Sequence, residues 1–499
     1  VSLRDYQHQG VVWLVDKLAN HKAVLLADDA GLGKTLETLT TAHRLGVERV
    51  LIICPAGARR VWSAEIHRWF PAWDDRVVLV EPGTKVSDIQ PGLNPLQPVI
   101  LILGYDETSN FKSRIVPLLK YIRWDLLVLD ECHYLKNPSY RTQAVYGVYG
   151  SRNNGAKGLA DYADRVILLS GTPTPNHAGE LWQHYRTFWP SSLGPKRLTQ
   201  YEFEDRFTRY RDTVFGRQVT GSKNQGELRT ALQDVVLRRR KSEVLTELPP
   251  LQLQDIPLAP SPWRGDLKLP AGADDDDLIR ALRSPDTAVA TMRRELGLAK
   301  TPATIAWVRE RMASTHKLLI FAWHHSVIDL LYRGLTEFYP VVVTGETSPK
   351  ARAEAVTRFQ DHAGTRIFIG QILAAGTAVT LTAASEVAIV EPSWVPGENY
   401  QAICRAHRLG QRDSVLASFL FLPGTLDERI MAVFRRKAGE IAELQGDYNA
   451  DDDQPGLRPG HHGRQRTAVA VPAPGIAKAA ADEPAGARIA AIIATGYCC

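Results

Sequence analysis

The chain has 499 residues, 44% of them hydrophobic, with 60 Lys and Arg against 55 Asp and Glu for a net charge of +5. That length implies two or three domains of roughly 100–200 residues each; no apolar run reaches the roughly 18–20 residues of a membrane span, and no charged-then-apolar leader is visible at the N-terminus. Five scattered cysteines (Cys54, Cys132, Cys404, Cys498, Cys499) make neither a disulfide framework nor a zinc ribbon, so a reducing, intracellular compartment is expected, and the mild basic excess permits a nucleic-acid partner without requiring one.

Residues 1–22 read as a helix, because Val11, Leu14, Val15 and Leu18 recur at i, i+3, i+4 and i+7. Ahead of it stand Leu3-Arg4-Asp5-Tyr6-Gln7. An aromatic and an amide close to a phosphate loop can hold an adenine, with Gln7 bonding its Hoogsteen edge; the plainer reading is a helix entry with surface polar groups. The next stretch, AVLLADDAGLGKT at 23–35, runs from a short apolar strand into a glycine-bearing turn and then a helix that starts at Lys34. Gly31 and Gly33 let the backbone curl so that several N–H groups converge, and the helix N-terminus adds partial positive charge. Lys34 would reach the β- and γ-phosphates of a nucleotide, and the Thr35 hydroxyl would ligate Mg²⁺. The strict pattern G-x-x-x-x-G-K-S/T fails at its first position, where Asp28 stands, so on the loop alone a glycine-rich strand–helix turn competes.

From 23 to 190 short β-branched runs alternate with amphipathic helices. Strands are expected at 23–27, 50–53, 76–80, 99–103, 126–129 and 165–169, and helices at 59–70, 109–121 and 140–149 among others. The alternation argues for a parallel sheet covered on both faces, with its ligand beyond the carboxyl ends of the strands. There LLVLDECH (126–133) sets two acids directly after a buried strand, which is costly without a cationic or chemical need. Asp130 can hold Mg²⁺ through water, and Glu131 can orient an attacking water as general base; a polar strand end at the surface is the bland alternative. Cys132 reads as a packing residue, and His133 as a coupling group or a cap. In VILLSGTPTPN (166–176), Ser170 and Thr172 can sense the γ-phosphate side, or simply form a turn.

Residues 191–250 lose the alternation and read as mostly helical, with Arg238-Arg239-Arg240-Lys241 either touching phosphates or forming a solvated face. Residues 257–277 read as a linker. A second alternating block follows from 301 to 440, with strands at 317–321, 341–343, 366–369, 386–390 and 414–422 and no phosphate loop of its own. Within QAICRAHRLGQ (401–411), a helix would put Arg405 and Arg408 on one face, as arginine fingers or as a basic surface. Residues 447–499 read as a disordered tail.

In order along the chain, LRDYQ, DDAGLGKT, DECH, LLSGTP, LIFAWHHSVIDLL, FQDHAGTRIFIGQILAAGTAVTLTAASEVAIVEPSW and QAICRAHRLGQ resemble the Swi/Snf-related ATPases of helicase superfamily two over roughly residues 3–440. The 221–250 stretch and the Asp28-Asp29 pair are most similar to the annealing-helicase (HARP-like) branch. The resemblance implies an α/β fold of two RecA-like parallel-sheet lobes with a helical insertion and a disordered C-terminal tail. Its domains would be 1–190 (ATP-binding lobe 1), 191–256 (helical region of lobe 1), 257–300 (linker), 301–446 (lobe 2) and 447–499 (tail). It also implies ATP and Mg²⁺ as cofactors. Gln7, Asp28, Gly31, Leu32, Gly33, Lys34, Thr35 and Gly376 would contact the nucleotide, Thr35 and Asp130 the metal, and Lys34, Glu131, Arg405 and Arg408 would carry catalysis.

The family tracks double-stranded DNA, so the expected function is an ATP-driven translocase on duplex or forked DNA. The alternatives are a strand-separating helicase, for which the sequence shows no wedge or pin, and a nucleotide-gated remodeller of a DNA-bound partner such as RNA polymerase. Two departures stand out. Cys132 occupies an Ala, Gly or Ser position, and the loop AAGTAV has Ala375 and Ala378 where the family carries Gly. A stiffer loop there would weaken coupling to DNA without threatening ATP binding. Fork remodelling, phage defence and transcription recycling are equally compatible with these motifs.

Overall fold

Among the described residues fifteen strands, most of them too short and too apolar to alternate, form two parallel sheets and one hairpin. The computed structural model describes residues 2–435, apart from 82, 91–92, 94–96, 111–113, 149–154, 175–176, 214–215, 246, 259–287, 373–378, 394 and 433. The expected tail at 447–499 and most of the expected linker at 257–300 lie outside the described residues.

The first sheet contains β1 (Ala23–Leu26), β2 (Arg49–Cys54), β3 (Val77–Leu79), β4 (Val99–Gly104), β5 (Trp124–Asp130), β6 (Ala163–Leu169) and β9 (Val236–Leu237), in the order β3-β4-β2-β5-β6-β1-β9. All pairs are parallel. Strands buried on both faces read as unbroken apolar runs, and β1 shows why: Ala23 and Leu25 enter one core layer while Val24 and Leu26 enter the other. The helices α1 (Asp5–Asn20), α2 (Lys34–Arg44) and α3 (Arg59–Trp69) help cover the layer containing Val24 and Leu26, through Leu14 and Leu18, Leu36 and Leu39, and Trp62 and Ile66.

The second sheet contains β10 (Leu251–Pro257), β11 (Leu318–Ala322), β12 (Val341–Val343), β13 (Ile367–Gln371), β14 (Glu386–Ile389) and β15 (Val415–Phe421), in the order β10-β15-β14-β11-β13-β12. It too is wholly parallel. Its two faces carry separate cores, one around Phe321, Phe368 and Phe419 and the other around Ile320, Ile369 and Leu420. The chain is therefore α/β, with two parallel-sheet lobes.

Three local expectations are corrected. The helix expected at 109–121 is two short ones, Tyr105–Ser109 and Ile115–Leu119, with Asn110 closing the first. Residues 191–250 are only partly helical: the helix Gln200–Phe207, set by reciprocal Thr199–Glu202 capping, runs into the antiparallel pair β7 (Thr208–Thr213) and β8 (Gly216–Ser222). Within that helix Phe203 and Phe207 face inward and join a cluster with Trp182 and Tyr185. Finally, β10 lies inside the span expected to be lobe 1, yet it pairs residue for residue with β15 in the second sheet. Among the described residues no helix is long and apolar enough to cross a membrane.

The first lobe buries an imidazole completely. His184 is 0% exposed, and its Nδ1 lies 2.7 Å from the Tyr146 hydroxyl. Burial, with a contribution from the nearby charge of His133, pushes its pKa down to about 3. The unfolded chain takes up that proton near the ordinary value of about 6.5, so stability is full above that pH and is lost as pH falls toward 3. Between pH 7 and pH 5 the loss from this group should be on the order of 2 kcal/mol. Thermal melts of the wild type and His184→Gln should show a smaller pH 7-to-5 drop in the variant; equal drops would remove His184 as the cause.

Candidate active site

The C-terminal end of β1 delivers the phosphate-loop sequence. Gly31 and Gly33 sit in the left-handed region at φ 86° and 90°, which only glycine adopts without strain. At Gly33 there is also no room, since a Cβ would run into the Gln7 amide. That amide is fixed from both ends: Nε2 donates to the Leu32 carbonyl (2.9 Å) and Oε1 accepts from the Arg4 N–H (3.1 Å). The Tyr6 hydroxyl donates to the same carbonyl at 2.9 Å. The Lys34 ammonium donates to the carbonyls of Asp28 (2.5 Å) and Asp29 (3.2 Å), and half-buried Thr35 is the second residue of α2. Gln7, Leu32, Gly33 and Lys34 are thus brought together as the motif suggested.

Asp28 differs. Its carboxylate is 0% exposed and is held by Arg239, whose backbone N–H reaches Oδ1 at 2.8 Å and whose Nε reaches Oδ2 at 2.9 Å. What Asp28 presents at the loop is its carbonyl. Arg239 also bonds Glu37 at 2.6 Å and the Tyr6 carbonyl, and Arg238 donates to the carbonyls of Ala27 (3.3 Å) and Gly171 (3.4 Å). The Lys241 backbone N–H donates to Asp29 at 2.8 Å. The run 238–241 is therefore not a solvated face: Arg238, Arg239 and Lys241 form a clasp on the acidic underside of the loop, and Arg240 pairs with Glu243. Burial pushes Asp28 up against the pull of Arg239, pushes Asp29 up to about 7, and with the charge of Asp28 pushes Glu37 up to about 8. In α1, Gly10 makes the clasp possible, since a Cβ there would collide with the Glu37 carboxylate.

The ends of β5 and β6 supply the second half. Trp62 on α3 donates to Asp130 Oδ2 at 2.8 Å, and burial plus the neighbouring Glu131 charge push Asp130 up to about 6. Glu131 is one of three described non-glycine residues with positive φ (49°), a strained backbone of the kind that clusters at functional sites. Its Oε2 lies 3.3 Å from His133 Nδ1 and accepts from Ser170 Oγ at 3.5 Å, while His133 and Ser170 are 3.0 Å apart. Burial alone would raise Glu131, yet the bond and charge of His133, with the charges of Lys34 and Arg405, bring it below its ordinary value. The Cys132 thiol is buried and pushed well up, consistent with packing.

Arg405 and Arg408 do not share a helix face. The helix Pro396–Ile403 ends before them, and the chain tightens through Arg405 N–H to Ala402 (3.2 Å) and Ala406 N–H to Ile403 (3.0 Å), with the Gln411 amide donating to the Ala406 carbonyl at 3.2 Å. This turn meets the first lobe. Arg405 contributes charge at Glu131, and Arg408 Cβ lies 3.3 Å from where a Gly31 Cβ would be. Between them, Lys241, only 2% exposed, donates its ammonium to the His407 carbonyl at 2.6 Å. Gly376, Ala375 and Ala378 lie outside the described residues. Sequence reading missed Trp62 and did not see that Arg238, Arg239 and Lys241 hold the loop; the one signal was an internal acid, Glu37, three residues beyond Lys34 in the helix.

Comparison with known proteins adds the following. The SNF2-related domain matches residues 6–262, more than half of the chain, and the helicase conserved C-terminal domain matches 301–410. The mouse DNA annealing helicase and endonuclease ZRANB3 is 29% identical over 456 residues, covering 88% of this chain and 40% of that protein. The frog (Xenopus laevis) SWI/SNF-related matrix-associated actin-dependent regulator of chromatin subfamily A-like protein 1 is 28% identical, covering 87% and 43%. This chain thus spans about 40% of the length of these two relatives. The Sulfolobus solfataricus SWI2/SNF2 ATPase core in complex with dsDNA is 22% identical, with a TM-score of 0.41, covering 86% of this chain and 90% of that one.

The clasp generates a stability prediction. Arg239→Met leaves Asp28 and Glu37 buried without their main cation, which should cost about 3–5 kcal/mol. Denaturant unfolding should show it as a drop in midpoint; a loss below about 1 kcal/mol, the range of an exposed pair, would mean the clasp is not coupled to folding.

Proposed function

This chain belongs to the SNF2-related family of helicase-like ATPases, and we propose that it is an ATP-driven translocase on double-stranded or forked DNA. ATP would bind where the two lobes meet. The observation that carries this reading is the approach of Arg405 and Arg408, on the second lobe, to Glu131 and Gly31 on the first. The residues present suit a magnesium–triphosphate. The left-handed glycine loop excludes side chains where backbone N–H groups must converge, Lys34 stands beside it, and an aspartate and an ionised glutamate face it from β5.

Bound Mg–ATP would supply the anhydride to be cleaved and a divalent charge to offset its phosphates. Lys34 would neutralise charge that develops on the phosphates, and Thr35 and Asp130 would hold the metal, with Trp62 fixing one Asp130 oxygen. Glu131 orients a water and takes its proton. His133 and Ser170 hold Glu131 in place, and Ser170 Oγ also accepts the Thr172 N–H at 3.2 Å. Arg405 and Arg408 complete the site only when the second lobe is close, so turnover is tied to lobe position. Gln7 frames the adenine end.

Steady-state hydrolysis should be stimulated by duplex or forked DNA and abolished in Lys34→Ala. Arg408→Ala should lose on the order of 10³-fold or more in turnover with a much smaller loss of ATP affinity. Stimulation by single strands or RNA alone would replace this reading with an unwinding helicase. A remodeller of a DNA-bound partner would show turnover only with that partner present.

Lys241 positions the finger turn rather than touching nucleotide. Lys241→Met should therefore lower the maximal DNA-stimulated rate while leaving nucleotide affinity and the thermal midpoint of the first lobe near wild type. A parallel loss of ATP affinity and stability would reduce its role to packing.

A further inference from the structure

The antiparallel pair β7–β8 belongs to neither parallel sheet, and the site described above does not use it. A lone two-stranded hairpin is marginal in water unless something holds it, and this one is held at its base. Ser222 Oγ accepts the Ala178 N–H at 2.9 Å, Thr208 Oγ1 donates to the Glu204 carbonyl at 2.6 Å, and the Lys223 N–H donates to the Phe207 carbonyl at 2.9 Å. Thr208 and Ser222 are buried. Residue 178 follows the Ser170–Thr174 turn by a few positions, so the hairpin is rooted beside a segment that contacts Glu131.

The two faces of β7 differ in chemistry. Side chains alternate along a strand. Tyr210 is half-buried, its hydroxyl donating to Asp205 at 2.6 Å with the Lys223 ammonium over its ring. Arg209 and Arg211, its neighbours on either side, are exposed. The register shift between Arg209 and Tyr210 falls on the β8 side, opposite Thr220, so β7 keeps its alternation. Two outward positions on one strand stand about 6.8 Å apart, which matches the axial separation of every second phosphate on one DNA strand, at about 3.4 Å per phosphate. The apolar members Tyr210 and Val219 are half-buried and pair on the opposite face, so among the described residues the Arg209–Arg211 face does not carry the aromatic and apolar centre of a protein interface.

We propose that the outward face of β7, carried by Arg209 and Arg211, is a phosphate-binding clip through which the first lobe grips the backbone of duplex DNA. The inference rests on the DNA-motor reading and adds a contact outside the nucleotide site. It is sequence-independent, electrostatic and separate from lobe closure. Such a clip lets one lobe keep hold of the duplex while the other releases it.

The test is equilibrium binding of a labelled duplex and of a matched fork across a series of salt concentrations, using the full chain. Wild type should show a linear fall of log affinity with log salt. R209A/R211A should flatten the slope by about 1.8, from two contacts at about 0.9 each, with DNA-free ATP hydrolysis unchanged; R209K/R211K should keep the wild-type slope. An equal flattening on duplex and fork supports a general clip, and a larger one on the fork supports a clip placed at the junction. An unchanged slope in R209A/R211A with wild-type binding intact overturns the clip and leaves the motor reading standing. Wild type that neither binds DNA nor is stimulated by it overturns both.

Discussion

Three carboxylates are buried around the phosphate loop, and the surrounding structure is arranged to satisfy them. Asp28, Asp29 and Glu37 are each 0% exposed, and a buried charge without a partner costs several kcal/mol. The compensation comes from one basic run more than two hundred residues later in the chain, which follows β9, docked beside β1, and clasps the loop from below. The same clasp explains a glycine in α1, the placement of Tyr6, and the seat of the second lobe's arginine turn. The loop's shape is set by its acids and their cations as much as by its glycines.

This arrangement divides what the sequence can show from what it cannot. Period and apolarity make the strands legible, so all eleven expected strands appear within a residue or two. The loop and the acidic strand end are equally legible, since their chemistry is local: Lys34 sits six residues from the carbonyl that it meets, and Glu131 two from His133. The clasp is not legible, because its partners are separated by 211 and 202 residues and a basic run looks the same whether buried or solvated.

The misread segments have local causes. The 200–222 stretch carries helix-compatible aromatics and arginines, yet only Gln200–Phe207 has capping and seats Phe203 in a cluster with Trp182 and Tyr185; beyond it the chain turns to a hairpin. Arg405 and Arg408 fit a helical spacing, but the Gln411 amide donates to the carbonyls of Ala384 and Ala406, which closes a turn where a helix would continue. In both places tertiary partners overrode a periodic pattern. Glu131 shows the opposite case: its left-handed backbone breaks a local preference and sets the carboxylate beside Ser170 and His133.

The strand β10 has one more consequence. The chain leaves β9 at Leu237 and enters the second sheet at Leu251, and most of what lies between is bound to the first lobe: Arg238, Arg239 and Lys241 by hydrogen bonds, Leu245 by packing on Tyr6 and Leu32, and Glu247 by an ion pair with Arg4. The second lobe is therefore a ligand on a very short leash, the residues 248–250 that follow Glu247. A tether of that length holds its end at an effective concentration in the millimolar range or above. An interlobe contact as slight as one ammonium on one carbonyl can then populate the joined arrangement, because the entropy of bringing the halves together has already been met by the covalent chain. Weak contacts of this kind also come apart readily.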